Sequence, residues 1–201
     1  SVMLAGLNKI LSNFGDEAYT LLVVYFRIQS FVFMPILGLT QGMMAVLGYN
    51  YGAGNKKRVL QTLKVGIIAA VSIMVVGTLI FQLFPAQLLS IFDVSDKIVE
   101  IGIPAFRTIS TCFIFAAISI ILSTSFQAMG DAYFSMIGSF TRQIVVILPA
   151  AFVLSRMYGL NQTWLAFPIS EFVTVTLAFV FFIFEYNRKI KNLVPIAENQ
   201  N

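Results

Sequence analysis

Histidine is absent from this 201-residue sequence, and cysteine occurs once, at Cys112. The lack of histidine excludes imidazole acid–base catalysis, Ser-His-Asp and Cys-His arrangements, and any Cys/His metal cage. A lone cysteine forms no intrachain disulfide, so it says nothing of redox compartment. Within its apolar run Cys112 reads as a small packing residue. Charge is scarce as well: 13 basic and 9 acidic residues make up 11% of the chain, against roughly 25% in soluble domains. That is too little polar surface for a globule in water. The net charge of +4 does not point to nucleic acid, because the excess sits in two short clusters beside apolar runs, where membrane topology puts it.

Apolar residues are abundant, at 58% of the chain, with a mean hydropathy of +0.87. They form five long runs, at 22–48, 59–84, 98–122, 134–158 and 163–184. Each is long enough to cross a hydrocarbon core of roughly 30 Å as a helix rising about 1.5 Å per residue. A transmembrane barrel would instead show alternating strands of about ten residues. Residues 1–11 make an apolar stub too short to span, without an initiator Met or the charged start of a signal peptide; it reads as the end of a helix whose beginning is missing. The fold class is therefore all-α integral membrane, with five transmembrane helices plus an N-terminal helix stub. Residues 1–186 form the bundle and 187–201 a polar, fraying cytoplasmic tail.

Sidedness follows from the basic residues. Lys56, Lys57, Arg58 and Lys64 follow the first run and Arg188, Lys189 and Lys191 the fifth, while Lys9, Lys97 and Arg156 lie on the opposite side with Asp16, Glu17, Asp93, Asp96 and Glu100. The richer side is cytoplasmic.

Several residues inside the runs invite a functional reading. Pro35, Pro104, Pro149 and Pro168 fall within four of the five; each removes a backbone donor, and kinked spans expose carbonyls to ions or substrates. Membrane helices also tolerate proline without any function. Arg27, Arg107, Arg142 and Glu171 each cost about 2.5–3.5 kcal/mol at mid-membrane, so they should face the interior and find partners. Glu171, the one carboxylate deep inside a run, with Glu100 only at the mouth of the third, lies roughly 12 Å below the outer surface, level with Arg27 and Arg107. Depth predicts that it pairs with one of those two, either as a structural salt bridge or as a titrating, cation-sensing site. Gly38 and Gly42 form a GxxxG pair that invites a neighbouring helix. Met34 and the many Phe could line a chamber for bulky cations, and Trp164 and Tyr158 suit an interfacial belt. The segment from Gly48 to Lys56 lacks the spacing of a phosphate-binding loop.

The run Arg27-Ile28-Gln29-Ser30-Phe31, then Pro35, Gly38, Gln41-Gly42 and the loop Gly48-Tyr49-Asn50-Tyr51-Gly52-Ala53-Gly54-Asn55, resembles the multidrug and toxic compound extrusion (MATE) transporters. Further matching pieces are Gly102 to Arg107, Phe126-Gln127-Ala128-Met129-Gly130, Arg142 before Pro149, and Trp164 to Glu171. The resemblance implies one half, the C-terminal half, of a twelve-helix transporter. Its partners would be the lipid bilayer, a missing N-terminal half and small organic cations, with no nucleic acid. The implied activity is antiport of cationic and aromatic drugs out of the cell across the plasma membrane, with Na⁺ or H⁺ as coupling ion and no other cofactor. Candidate pathway residues are Glu171, Arg27, Arg107, Arg142, Gln41, Gln127, Met34 and Pro35. The alternatives are a flippase of a lipid-linked oligosaccharide, whose cavity would need several cations for pyrophosphate, and a structural membrane subunit with Glu171 in a dry pair. An enzyme would need a converging nucleophile and base, which the sequence does not offer.

Overall fold

The computed structural model describes residues 2–194, so the end of the expected tail lies outside the described residues. The stub is helix α1 (Val2–Leu11). The first and second runs are α2 (Asp16–Gly52) and α3 (Lys56–Leu83). A short α4 (Pro85–Ser90) leads to the third run, split into α5 (Asp96–Ser110) and α6 (Phe113–Ala128). The fourth is α7 (Ala132–Phe140), a π-helical turn (Thr141–Val146) and α8 (Ile147–Tyr158). After a single turn, α9 (Leu160–Thr163), the fifth is α10 (Ala166–Glu185), ending in a second π-helical turn (Tyr186–Ile190). Four helical stretches (Asp16–Gly52, Lys56–Leu83, Ala132–Tyr158 and Leu160–Ile190) are long and apolar enough to cross a membrane, and the α5–α6 pair, bent by 48°, brings the number to five when taken as one span. Among the described residues there is no strand.

The connections follow from local chemistry. Gly54 adopts a left-handed conformation (φ 70°) that ends the preceding turn, and Asn55 caps α3 by accepting the Arg58 backbone N–H at 3.1 Å. This is the Gly-Asn chemistry expected where one helix stops and another starts. Asp16 and Glu17 occupy the first turn of α2, where negative charge opposes the helix dipole.

The prolines bend the bundle less than expected. Pro35 lies in an uninterrupted α2, and the 48° break falls at Thr111–Cys112, seven residues after Pro104. Pro168 sits in the first turn of α10, where its missing N–H costs no internal hydrogen bond. The π-turn precedes Pro149 and lies where a regular helix would lose its partner for the absent donor.

Close packing is set by other glycines than the GxxxG pair. Nothing lies within 4 Å of a Cβ placed on Gly38 or Gly42, whose face of α2 is exposed. A Cβ on Gly66 would collide with Met43, and one on Gly77 with Val32, so α3 lies directly on α2 at these points. On Gly102 it would come 2.7 Å from Leu89 and 2.9 Å from Leu21. Trp164 also departs from expectation: it is buried and stacks on Phe167 at 6.4 Å, while Tyr158 is exposed.

Gly77→Val should therefore push Val32 aside and destabilise the full-length protein by about 1–3 kcal/mol, read as a lower melting temperature in detergent. Val76→Ile, on the neighbouring exposed position, should leave it unchanged.

Candidate functional site

Glu171 lies in the second turn of α10 and Arg142 on the π-turn between α7 and α8. Arg142 Nη1 donates to Glu171 Oε1 at 3.0 Å, with side-chain exposures of 29% and 12%. The partner is thus Arg142, not Arg27 or Arg107 as equal depth suggested. A π-turn widens the helix by one residue, and α10 packs against this segment, which lets an arginine from the other face of the membrane reach α10. Depth along the normal does not specify position around the bundle.

The pair is only half satisfied, because Glu171 Oε2 is buried without a hydrogen-bond partner. Leaving a buried acceptor unpaired costs about 1–3 kcal/mol, more when charged. A proton, a water molecule or a small cation would remove that cost. Arg142 also lines a cavity of about 70 Å³ with Ser119, Ser123, Ser139 and Thr174, larger than the roughly 10–15 Å³ that a water needs. Nearby, the buried Tyr25 hydroxyl has no partner either, and its ring meets Phe167, one turn before Glu171 on α10, at 5.7 Å. The sequence reading did not single out Tyr25; a tyrosine in the middle of an apolar run was the available signal.

The other candidates lie elsewhere. Arg27, Met34 and Gln41 follow helical spacing with Gly38 along one exposed stripe of α2, beside the exposed Pro35. No described element covers that stripe. Arg107 and Gln127 are also exposed. Neither Arg27 nor Arg107 forms a salt bridge among the described residues, against the expectation of interior partners, because both point off the surface of this bundle.

A second charged cluster went unread in the sequence. Glu185 closes α10 with 0% side-chain exposure. Arg188 Nη2 lies 2.7 Å from Glu185 Oε1 and 2.8 Å from Asp131 Oδ2, in the α6–α7 turn. Lys189 contacts Asp131, donates to the Met129 carbonyl at 3.1 Å and lies 5.8 Å from the Tyr51 ring centre. Lys56 stands 5.5 Å from the Tyr186 ring centre and donates to the Lys191 carbonyl at 3.2 Å. The α2–α3 turn, the α6–α7 turn and the end of α10 are thereby held in one clasp at the Lys56 end of the bundle. Burial alone would raise the Asp131 carboxyl, but contacts with Glu185, Lys189 and Arg188 outweigh it and hold the pKa down to about 2.

Because that value is depressed, the contribution of Asp131 is complete above its ordinary value of 3.8 and lost as pH falls toward about 2. Thermal stability should drop across this interval, and Asp131→Asn should flatten the drop. Arg188→Ala should lower the melting temperature, with part of the loss recovered in the Arg188→Ala/Glu185→Gln double variant, which removes the uncompensated carboxylate. Equal melting temperatures for all variants would show the clasp to be energetically idle.

Known proteins share this fold. The MatE family model matches residues 1–153. The "Probable multidrug resistance protein NorM" of Thermotoga maritima is 29% identical over 171 residues, 84% of this chain and 37% of that protein. Solved structures of a multidrug resistance MATE family transporter of the MOP superfamily superpose with a TM-score of 0.88 in the inward-facing conformation, over 96% of this chain and 45% of that one, at 22% identity. The outward-facing conformation also gives 0.88, over 93% and 43%, at 22% identity. The chain spans less than half the length of these relatives, and it belongs to the MatE family.

Proposed function

We propose that this chain is the C-terminal half of a multidrug exporter of the plasma membrane, which moves small organic cations outward in exchange for Na⁺ or H⁺. The observation that carries the reading is the unpartnered stripe of α2, in a chain that superposes almost whole on less than half of a transporter. A second half seated there would enclose Arg27, Phe31, Met34 and Gln41 between the two, and transport by alternating access needs such a divided site. Equal likeness to inward- and outward-facing structures fits a half that moves as one body. The clasp then lies at the cytoplasmic face, with Lys56, Arg188 and Lys189.

Glu171 supports cation coupling, since its unpaired oxygen gives a proton or Na⁺ somewhere to bind at a cost that the Arg142 pair does not already cover. A flippase path for pyrophosphate calls for several cations, whereas the stripe carries Arg27 alone. A structural subunit calls for a dry pair, whereas Arg142 lines a cavity.

The test is ethidium efflux from vesicles holding the full-length transporter, under imposed Na⁺ or pH gradients. Glu171→Gln should cut coupled efflux about tenfold, the equivalent of one lost charged hydrogen bond, or abolish its dependence on pH. Unchanged efflux at every pH would leave Glu171 a structural role only. This chain reconstituted alone should move no ethidium; efflux without a partner half would refute the division of labour.

A further inference from the structure

The membrane-buried pair meets hydrogen-bonding groups of two opposite kinds. On the donor side, Arg142 Nη1 serves Glu171 Oε1 at 3.0 Å, and the Tyr25 hydroxyl, within electrostatic reach of both Glu171 and Arg142, has no partner of its own. Edge contacts with Phe81, Phe106 and Phe167, at ring-centre distances of 6.4, 5.9 and 5.7 Å, fix the Tyr25 ring and hold its hydroxyl among these groups. On the acceptor side, Ser119 and Thr174 line the cavity beside Arg142. Their hydroxyl protons are already donated, to the Ala116 carbonyl at 3.0 Å and the Ser170 carbonyl at 2.7 Å, so they offer the cavity lone pairs rather than protons. An ionised Glu171 therefore finds donors and a protonated one finds acceptors, directly or through a water in the cavity.

Little else of charge surrounds the pair. α6 contains no charged residue, and Arg107 of α5, Tyr133 of α7, and Arg156 and Tyr158 of α8 are exposed. Cys112, at the α5–α6 break, is the remaining titratable group within reach of Glu171. These surroundings separate a proton from Na⁺, although each adds one positive charge. A proton sits on the carboxyl oxygen itself, needs no ligand shell and leaves one cation, Arg142, beside the hydroxyl oxygens. Na⁺ needs several oxygen ligands and would share a single carboxylate with a guanidinium 3.0 Å away. Among the described residues no three acidic or cysteine side chains gather to hold a metal ion.

We infer that Glu171, Arg142 and Tyr25 form a proton-binding site that excludes Na⁺, in which Oε2 takes up the proton, Tyr25 supplies a hydrogen bond to the ionised form, and the cavity hydroxyls accept from the neutral one. The only bond made is O–H, with the proton drawn from water that reaches the cavity, and Arg142 stays charged throughout. The inference rests on the exporter reading in one respect, that the proton is then the coupling ion of this half.

The test is an acid-minus-neutral infrared difference spectrum of the full-length transporter in nanodiscs, without drug or gradient. The parent protein should show a protonated-carboxyl C=O band that Glu171→Gln removes. Tyr25→Phe, which keeps the ring, should move the midpoint of that band up by about one pH unit, a tenfold gain in proton affinity, because the ionised carboxylate loses a hydrogen bond. Exchanging choline chloride for NaCl at constant ionic strength should leave the parent midpoint in place. Size-exclusion profiles confirm that each variant folds, and the Na⁺ comparison needs no variant. A spectrum unchanged by Glu171→Gln would leave that carboxylate ionised throughout, and a midpoint that falls in Na⁺ would make it a Na⁺ site; either overturns the proposal. An unmoved midpoint in Tyr25→Phe would overturn the role of Tyr25. Failure of the exporter reading would show differently, as absent ethidium efflux from a protein whose Glu171 band is intact.

Discussion

Two carboxylates on one helix organise this bundle. Glu171 and Glu185 lie fourteen residues apart, close to four turns, and so share a face of α10. Each is met by cations from a π-helical turn: Arg142 from the turn at Thr141–Val146, and Arg188 with Lys189 from the turn at Tyr186–Ile190. A carboxylate without a counter-charge in an apolar environment costs several kcal/mol, which exceeds what a short π-turn forfeits in helical hydrogen bonding. The distortions are placed where charge requires them.

The two sites differ in charge count, one cation meeting Glu171 and two meeting Glu185 and Asp131; in hydrogen bonding neither is complete, since Glu171 Oε2 and both Glu185 oxygens are buried without a partner. At the Glu185 end, two cations face two carboxylates, and Lys56, Tyr51 and the Met129 carbonyl tie three connections of the chain together. Such a cross-linked cluster ties together the helices that it joins. At the Glu171 end there is one cation, one free oxygen and a cavity beside it. The clasp ties three connections of the chain together, and the pair inside the membrane leaves one Glu171 oxygen without a partner.

Much of the architecture was legible because it rests on one-dimensional signals. The lengths of the apolar runs give the five spans, and Gly54 and Asn55 announce the stop and restart between α2 and α3. The sites were less legible because they depend on rotation about helix axes. Arg142 entered the sequence argument from the opposite face and was set aside as a partner for Glu171, yet the π-turn swings it onto α10. Gly38 and Gly42 carry the recognised packing motif but face open space, while Gly66 and Gly77, in no motif, make the close approach. Glu185 was not singled out, although its spacing to Arg188 and Lys189, three and four residues on, is the spacing of helical ion pairs.

The soft points of the fold also fall near Glu171 rather than near the clasp. The break at Thr111–Cys112 leaves the Ile109 carbonyl to accept from the Cys112 backbone N–H at 3.2 Å and from its Sγ at 2.9 Å, so the bend is held by a small, weak donor. From that break α6 runs along the cavity that Arg142 lines, through Ser119 and Ser123. The π-turn borders the same cavity from the other side. A π-turn can return to regular α-helix by shifting its extra residue along the chain, and doing so here would rotate Arg142 relative to α10. Neutralising Glu171 removes the attraction that opposes this rotation. The helix geometry and the ion pair are therefore coupled through Arg142, which the π-turn carries to α10.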